Sequence, residues 1–185
     1  MKTLNLPNTI TILRIGVVPV LFFLLLSPGR TGSLIIAFLF IAAAITDLLD
    51  GYIARRYKIV TTIGKLLDPI ADKLIINTAM ILMIPLGSVP AWLVAITIIR
   101  DIAVDGIRSI AVSEGLVIQA SRWGKQKTLC QIIALSALII AGQGHYPFLG
   151  LNAYLIGTVI LYIALFFTVY SGVDYFVKFS RGKTI

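Results

Sequence analysis

Six long apolar stretches, near residues 8–27, 33–54, 66–86, 90–112, 124–143 and 148–177, are separated by short polar connections. Each approaches the ~20 residues that an α-helix needs to cross a bilayer. The pattern predicts an all-α integral membrane protein with six transmembrane helices and both termini on the cytoplasmic side. The last stretch exceeds one span and is expected to tilt or to emerge as a surface helix. The polar Met1–Pro7 reads as a short interfacial segment. Lys2 before an apolar run resembles a signal peptide, but the run is longer than a signal core and Arg14 interrupts it, so a retained helix is expected. No connection has room for a second fold, and 1–185 reads as a single membrane domain.

Composition agrees. A chain that is 58% hydrophobic, with mean hydropathy +0.98, is too apolar for a soluble globular domain. Cys130 is the one cysteine, which excludes an internal disulfide and a thiolate metal cluster. The net charge of +8 becomes informative once distributed over six spans. All sixteen Lys and Arg except Arg30 then fall on one side, and the connections Gly87–Pro90 and Gly142–Gly150 carry none. That asymmetry places the basic side in the cytoplasm, with some bases facing anionic headgroups.

Acidic residues change the picture more. The chain has only eight, and four of them, Asp47, Asp50, Asp68 and Asp72, share one window between apolar stretches. A carboxylate within a membrane segment costs about 2.5–3.5 kcal/mol on insertion scales, so it requires an offsetting partner. At 100° per residue, Asp47, Asp50, Gly51 and Ala54 fall within an arc of about 100°. Two acids therefore share a helix face with two small residues that permit close approach. Asp68-Pro69 has the form of a helix start, and Asp72 follows one turn later. Antiparallel helices joined by the short basic turn Arg56–Lys65 must pack side by side, so the two acid pairs are expected to converge. Four converging carboxylates cannot all ionise without cations between them. Oxygen-rich ligation suits Mg²⁺, Mn²⁺ or Ca²⁺, and a metal pair is the usual device for phosphoryl transfer. Acids that merely pin two helices are the simpler alternative, but a structural pair needs one acid and one base.

The window meets D-x2-D-G-x2-A-R-x8-G-x3-D-x3-D at Asp47, Asp50, Gly51, Ala54, Arg55, Gly64, Asp68 and Asp72. That resembles the signature of the CDP-alcohol phosphatidyltransferases, as does the N-terminal L-P-N-T-I-T-x-x-R of Leu6–Arg14. The resemblance implies six transmembrane helices, a homodimer, and two divalent cations (Mg²⁺ or Mn²⁺) at the cytoplasmic end of the bundle. It implies transfer of a phosphatidyl group from CDP-diacylglycerol to an alcohol, with release of CMP. By similarity Asp47, Asp50, Asp68 and Asp72 hold metal, and Asp72 also serves as the base. Asn8, Thr11, Asp47, Gly51, Ala54, Arg55, Thr61 and Gly64 are the implied CDP-diacylglycerol contacts. The chemistry fits these residue types: a diphosphate entering a carboxylate site needs bridging cations, and an alcohol needs a positioned base.

A second polar group, Arg100, Asp101, Asp105 and Arg108, lies in the fourth stretch, with Arg122, Lys125 and Lys127 opening the fifth. Asp101, Asp105 and Arg108 share a narrow helical arc, which predicts mutual ion pairing. Arg100 points about 80–140° away from them, free for a ligand. Arg100, Arg108, Lys125 and Lys127 are candidate contacts for an anionic, phosphorylated acceptor. D-P-x-A-D-K at Asp68–Lys73 and the G-K-x-K-T run at Gly124–Thr128 are most similar to the family branch that forms phosphatidylglycerophosphate, implying glycerol 3-phosphate as acceptor. Arg100-Asp101 with Asp105 departs from that branch, which often has Arg-Glu followed by Thr. Inositol phosphate or phosphatidylglycerol as acceptor are the alternatives within the family. A cation transporter is the rival outside it, and would place polar groups at mid-depth or on both sides.

His145 lies in the outer connection, away from every acid. Trp92 and Trp123 read as interfacial anchors, and Tyr162, Phe166, Phe167 and Tyr170 as lipid-facing or dimer-packing rings.

Overall fold

A computed structural model of the chain describes residues 6–26, 29–57, 73–113, 121–142, 148 and 150–180. Their regular elements are all helical: α1 (Leu6–Leu25), α2 (Arg30–Tyr57), α3 (Lys73–Leu82), α4 (Ala91–Ser113), α5 (Arg122–Ala141) and α6 (Ala153–Ser180). Each falls on one of the six apolar stretches. A single antiparallel bridge, Phe148 to Leu151, precedes α6. The expected helix start at Asp68-Pro69, residues 58–65 of the basic turn and His145 lie outside the described residues; Arg56 and Tyr57, expected in the turn, continue α2.

Local chemistry sets the ends. The Ser121 hydroxyl accepts from the Trp123 amide at 3.2 Å and caps α5, while the Asn152 side chain accepts from Leu155 N at 3.0 Å at the start of α6. Gly142, with φ 60°, closes α5 by donating to the carbonyls of Leu138 and Ile139. Between α3 and α4 the chain turns within a few residues, which makes those helices antiparallel neighbours.

The core draws on all six helices, including Leu21, Phe40, Met80, Leu93, Leu135 and Leu161. Helix α5 packs on α6 and α2, α1 on α2, and α4 on α6. The α5–α6 approach is close because Gly157 has no side chain. A Cβ there would sit 2.7 Å from Leu138 Cγ and 3.0 Å from the Ala134 carbonyl oxygen. Small residues at such crossings are how helices pack where lipid, not water, surrounds them.

Outward faces are apolar to a degree foreign to soluble proteins. Phe23, Phe38, Ile99, Ile102, Phe166 and Phe176 are each between 62% and 71% exposed. Among the described residues α6 is long and apolar enough to cross a bilayer, and shorter apolar runs occupy Ile15–Leu25, Arg30–Thr46 and Lys73–Leu82.

The bundle has two distinct ends. Leu25, Ser33, Met83, Ser88, Leu138 and Gly142 meet around a small void at one of them. That gathers the start of α2 with the ends of α1, α3 and α5. Along α2, Asp47 lies fourteen residues from Ser33, about 21 Å away at 1.5 Å per residue. Along α5, Lys127 lies eleven residues back from Leu138, about 16 Å in the same direction. The acidic half of α2 and the basic start of α5 therefore occupy the opposite end.

Candidate active site

At that end α2 remains helical through Tyr57, so Asp47, Asp50, Gly51, Ala54 and Arg55 stand on one continuous helix. Asp47 and Asp50 are one turn apart on its backbone. The backbone of α1 carries Asn8 and Thr11 in its first two turns. Thr61, Gly64, Asp68 and Asp72 lie outside the described residues, and Asp72 directly precedes Lys73, the first residue of α3. The helical i, i+3 spacing of two carboxylates fits a hard divalent cation, whose preferred donors are oxygens.

Helices α4, α5 and α6 build the other half. Lys127 Nζ donates to both oxygens of Asp101, at 2.6 and 2.7 Å. Arg100 Nη1 donates to Asp101 Oδ1 at 2.9 Å, and Arg100 Nη2 donates to Ser171 Oγ at 2.8 Å. Asp101 and Lys127 are only 6% and 5% exposed, so this is a buried ionic cluster rather than a solvated one. Two cations face one carboxylate, which leaves a surplus positive charge. Arg100 Nε is buried and finds no hydrogen-bond acceptor among the described residues, and neither does the hydroxyl of Thr97 one turn away. A buried donor of that kind on a cation marks a place where an anion is favoured.

This pairing differs from the helical-wheel expectation in two respects. Neither Asp101 nor Asp105 pairs with Arg108 among the described residues; Asp101 pairs with Lys127 of α5 and its own neighbour Arg100, and Asp105 with Lys73 of α3. Nor does Arg100 point freely away. Its long stem folds back so that the guanidinium reaches the neighbouring carboxylate. A wheel fixes the direction of Cβ, not of an arginine's distal atoms.

Nearer the surface, Lys73 of α3 pairs with Asp105 of α4. Their side chains are 34% and 48% exposed, so solvent screens the pair and its energy is small. Its value is geometric, because it fixes the first turn of α3, just after Asp72, against α4. Arg108 Nη2 donates to the Tyr175 hydroxyl at 3.0 Å, with its guanidinium 5.8 Å from the ring centroid. Lys178 and Asp174 close the end of α6 at 2.8 Å. Of the basic candidates, Arg100 and Lys127 join the buried cluster, Arg108 of α4 contacts Tyr175 of α6, and Lys125 is exposed on another face of α5.

Three contributors were not singled out from the sequence: Ser171, Gly172 and Tyr175 of α6. The available signal was the polar spacing Ser171, Asp174, Tyr175, Lys178 in an otherwise apolar helix. The aromatic residues meet between helices. Trp123 lies 5.8 Å from Phe167 and 5.1 Å from Tyr170 between ring centroids, and Trp92 lies 6.2 Å from Tyr162.

Comparison with known proteins bears on this arrangement of acids and bases. A CDP-diacylglycerol–glycerol-3-phosphate 3-phosphatidyltransferase of Bacillus subtilis (strain 168) is 41% identical over 186 residues, covering 94% of each chain. The protein of that name from Rickettsia typhi is 38% identical over 172 residues, covering 93% of this chain and 95% of its own. A probable phosphatidylglycerophosphate synthase of Mycobacterium tuberculosis (strain ATCC 25618 / H37Rv) is 34% identical over 180 residues, covering 96% and 82%. The CDP-alcohol phosphatidyltransferase profile matches residues 4–170, a span that takes in all of α1, the acidic window and Arg100, Asp101 and Lys127, and ends at Tyr170 on α6. The chain belongs to the CDP-alcohol phosphatidyltransferase family.

Proposed function

We propose that this protein transfers the phosphatidyl group of CDP-diacylglycerol to glycerol 3-phosphate, giving phosphatidylglycerophosphate and CMP. One observation carries the acceptor assignment: the buried Arg100–Asp101–Lys127 cluster, whose cations outnumber its carboxylate, at the same end of the bundle as the acidic half of α2. The names of the relatives at 34–41% identity support the same substrates. A cluster biased toward positive charge suits an acceptor that is itself a phosphate ester, and a neutral alcohol would leave that charge without a purpose.

The division of labour follows from residue chemistry. Asp47, Asp50, Asp68 and Asp72 hold two divalent cations, Mg²⁺ or Mn²⁺. When bound, those ions neutralise the diphosphate and stabilise the departing CMP. Gly51 and Ala54 leave room for the nucleotide against α2, with Arg55, Asn8, Thr11, Thr61 and Gly64 completing its pocket. Arg100 and Lys127 seat the acceptor phosphate, and Arg108 and Lys125 add positive potential around it. Asp72 takes the proton from the acceptor hydroxyl as that oxygen attacks phosphorus. Acyl chains need no polar site and lie along the apolar outer faces.

The membrane arrangement proposed is six spans with both termini in the cytoplasm and the site facing inward, in a bacterial-type inner membrane, as a homodimer. Exposed phenylalanine and isoleucine on the outer faces support it, as does the assignment of every Lys and Arg except Arg30 to one side. Incubating purified protein with CDP-diacylglycerol, Mn²⁺ and a panel of acceptors tests the reading. CMP release should require glycerol 3-phosphate. Turnover with inositol phosphate or phosphatidylglycerol, and none with glycerol 3-phosphate, would overturn the acceptor assignment while sparing the family.

A further inference from the structure

We propose that Ser171 and Gly172 of α6 are positioning residues for the acceptor, acting through Arg100; the inference rests on the reading of Arg100 as a ligand for the acceptor phosphate. Ser171 is fully buried and its Oγ donates to the Phe167 carbonyl at 2.5 Å. With its hydrogen committed to the helix backbone, the oxygen has only lone pairs to offer outward. Arg100 Nη2 takes one of them at 2.8 Å. A guanidinium is a rigid plane, and Asp101 already holds Nη1 at 2.9 Å. Two anchors on two different helices fix the orientation of that plane. Of the five N–H groups, the buried Nε–H and the neighbouring Nη hydrogens remain for a ligand, which is the edge that grips a phosphate with two parallel bonds.

Gly172 supplies the space. A Cβ at that position would lie 3.0 Å from Arg100 Cγ and 3.7 Å from Nε. Any side chain there must push the arginine stem aside, close to its backbone, where little freedom exists to absorb the shift. Ser171 thus sets where the guanidinium points, and Gly172 permits its stem to run against α6. Neither residue touches the acceptor.

The test is steady-state kinetics on the full-length protein in detergent micelles containing CDP-diacylglycerol, with each substrate varied at saturating levels of the other. Ser171→Ala and Gly172→Ala should each raise KM for glycerol 3-phosphate about tenfold, the scale of a lost hydrogen bond to a charged group. KM for CDP-diacylglycerol should stay within about twofold, because the nucleotide pocket lies on α2. Ser171→Thr keeps the hydroxyl and should restore acceptor affinity. In an Arg100→Lys background, Ser171→Ala should add nothing further, since an ammonium on a different stem does not use that anchor. A role in packing alone predicts the opposite pattern: both KM values moving together, or thermal stability falling with neither moving. Either result overturns the proposal. Arg100→Ala separates the layers. If it leaves KM for glycerol 3-phosphate unchanged, the acceptor role of Arg100 falls and this inference with it. If it raises that KM while Ser171→Ala and Gly172→Ala do not, only the positioning role falls.

Discussion

Replacing Asp101 by asparagine asks how much the bundle depends on its buried cluster. The side chain keeps its shape and one acceptor oxygen, but the charge that faces two cations is gone. Lys127 Nζ sits 2.6 and 2.7 Å from the two carboxylate oxygens and Arg100 Nη1 sits 2.9 Å from one of them. At an effective dielectric constant of about 20, each cation loses an attraction on the order of 4 kcal/mol at a charge separation of about 4 Å. Part of that is recovered as Arg100 relaxes toward solvent, since its side chain is 13% exposed. Breaking a buried pair from one side typically costs about 3–5 kcal/mol, and that range is the expected loss. For a chain of this length it corresponds to a fall in melting temperature of roughly 6–20 °C. Unfolding in detergent, followed by tryptophan fluorescence, reads it well because Trp123 stacks beside this end of α6. The matched double variant Asp101→Asn with Lys127→Met should recover much of the loss, because removing both charges leaves less buried charge unpaired. A single variant that melts within about 2 °C of the wild type, or a double variant as unstable as the two single losses summed, would refute the reasoning.

Further expectations concern chemistry and packing. Asp72→Asn should abolish turnover while equilibrium binding of CDP-diacylglycerol, measured by scintillation proximity, stays largely intact; unchanged turnover would remove its role as base. Chelation with EDTA should stop CMP release, and added Mn²⁺ or Mg²⁺ should restore it, whereas activity that survives exhaustive chelation would contradict the carboxylate–metal reading. Gly157→Val should lower stability by about 1–3 kcal/mol, because its Cβ would meet Leu138 Cγ at 2.7 Å; a melting curve that overlays the wild type would mean that α5 and α6 separate more easily than the packing implies.

The six helices were legible because apolar runs of bilayer length are a strong, local signal. The placement of Asp47, Asp50, Gly51 and Ala54 on one continuous helix was equally legible, since periodicity alone puts them on one face, whereas Asp68 and Asp72 lie outside the described residues. The basic half was legible as residues but not as contacts. Asp101 looked like a partner for Arg108, yet its partners are Lys127, on a helix whose register against α4 no local pattern encodes, and Arg100, whose stem reaches where a wheel says it does not point. Ser171 and Tyr175 were hidden for a different reason. Hydroxyl-bearing residues in an apolar helix can satisfy themselves on the i−4 carbonyl or at the membrane interface, so their presence alone does not reveal a buried partner.

The most direct measurement follows one oxygen atom through the reaction. Glycerol 3-phosphate labelled with ¹⁸O at its free terminal hydroxyl is supplied with CDP-diacylglycerol and Mn²⁺, and both products are weighed by mass spectrometry. Attack of that hydroxyl on the phosphorus bearing the diacylglycerol keeps the label in the lipid, as the bridge between glycerol and phosphate, and yields unlabelled CMP. Formation of phosphatidic acid together with a cytidylylated glycerol, or no labelled lipid at all, would contradict phosphatidyl transfer at this site.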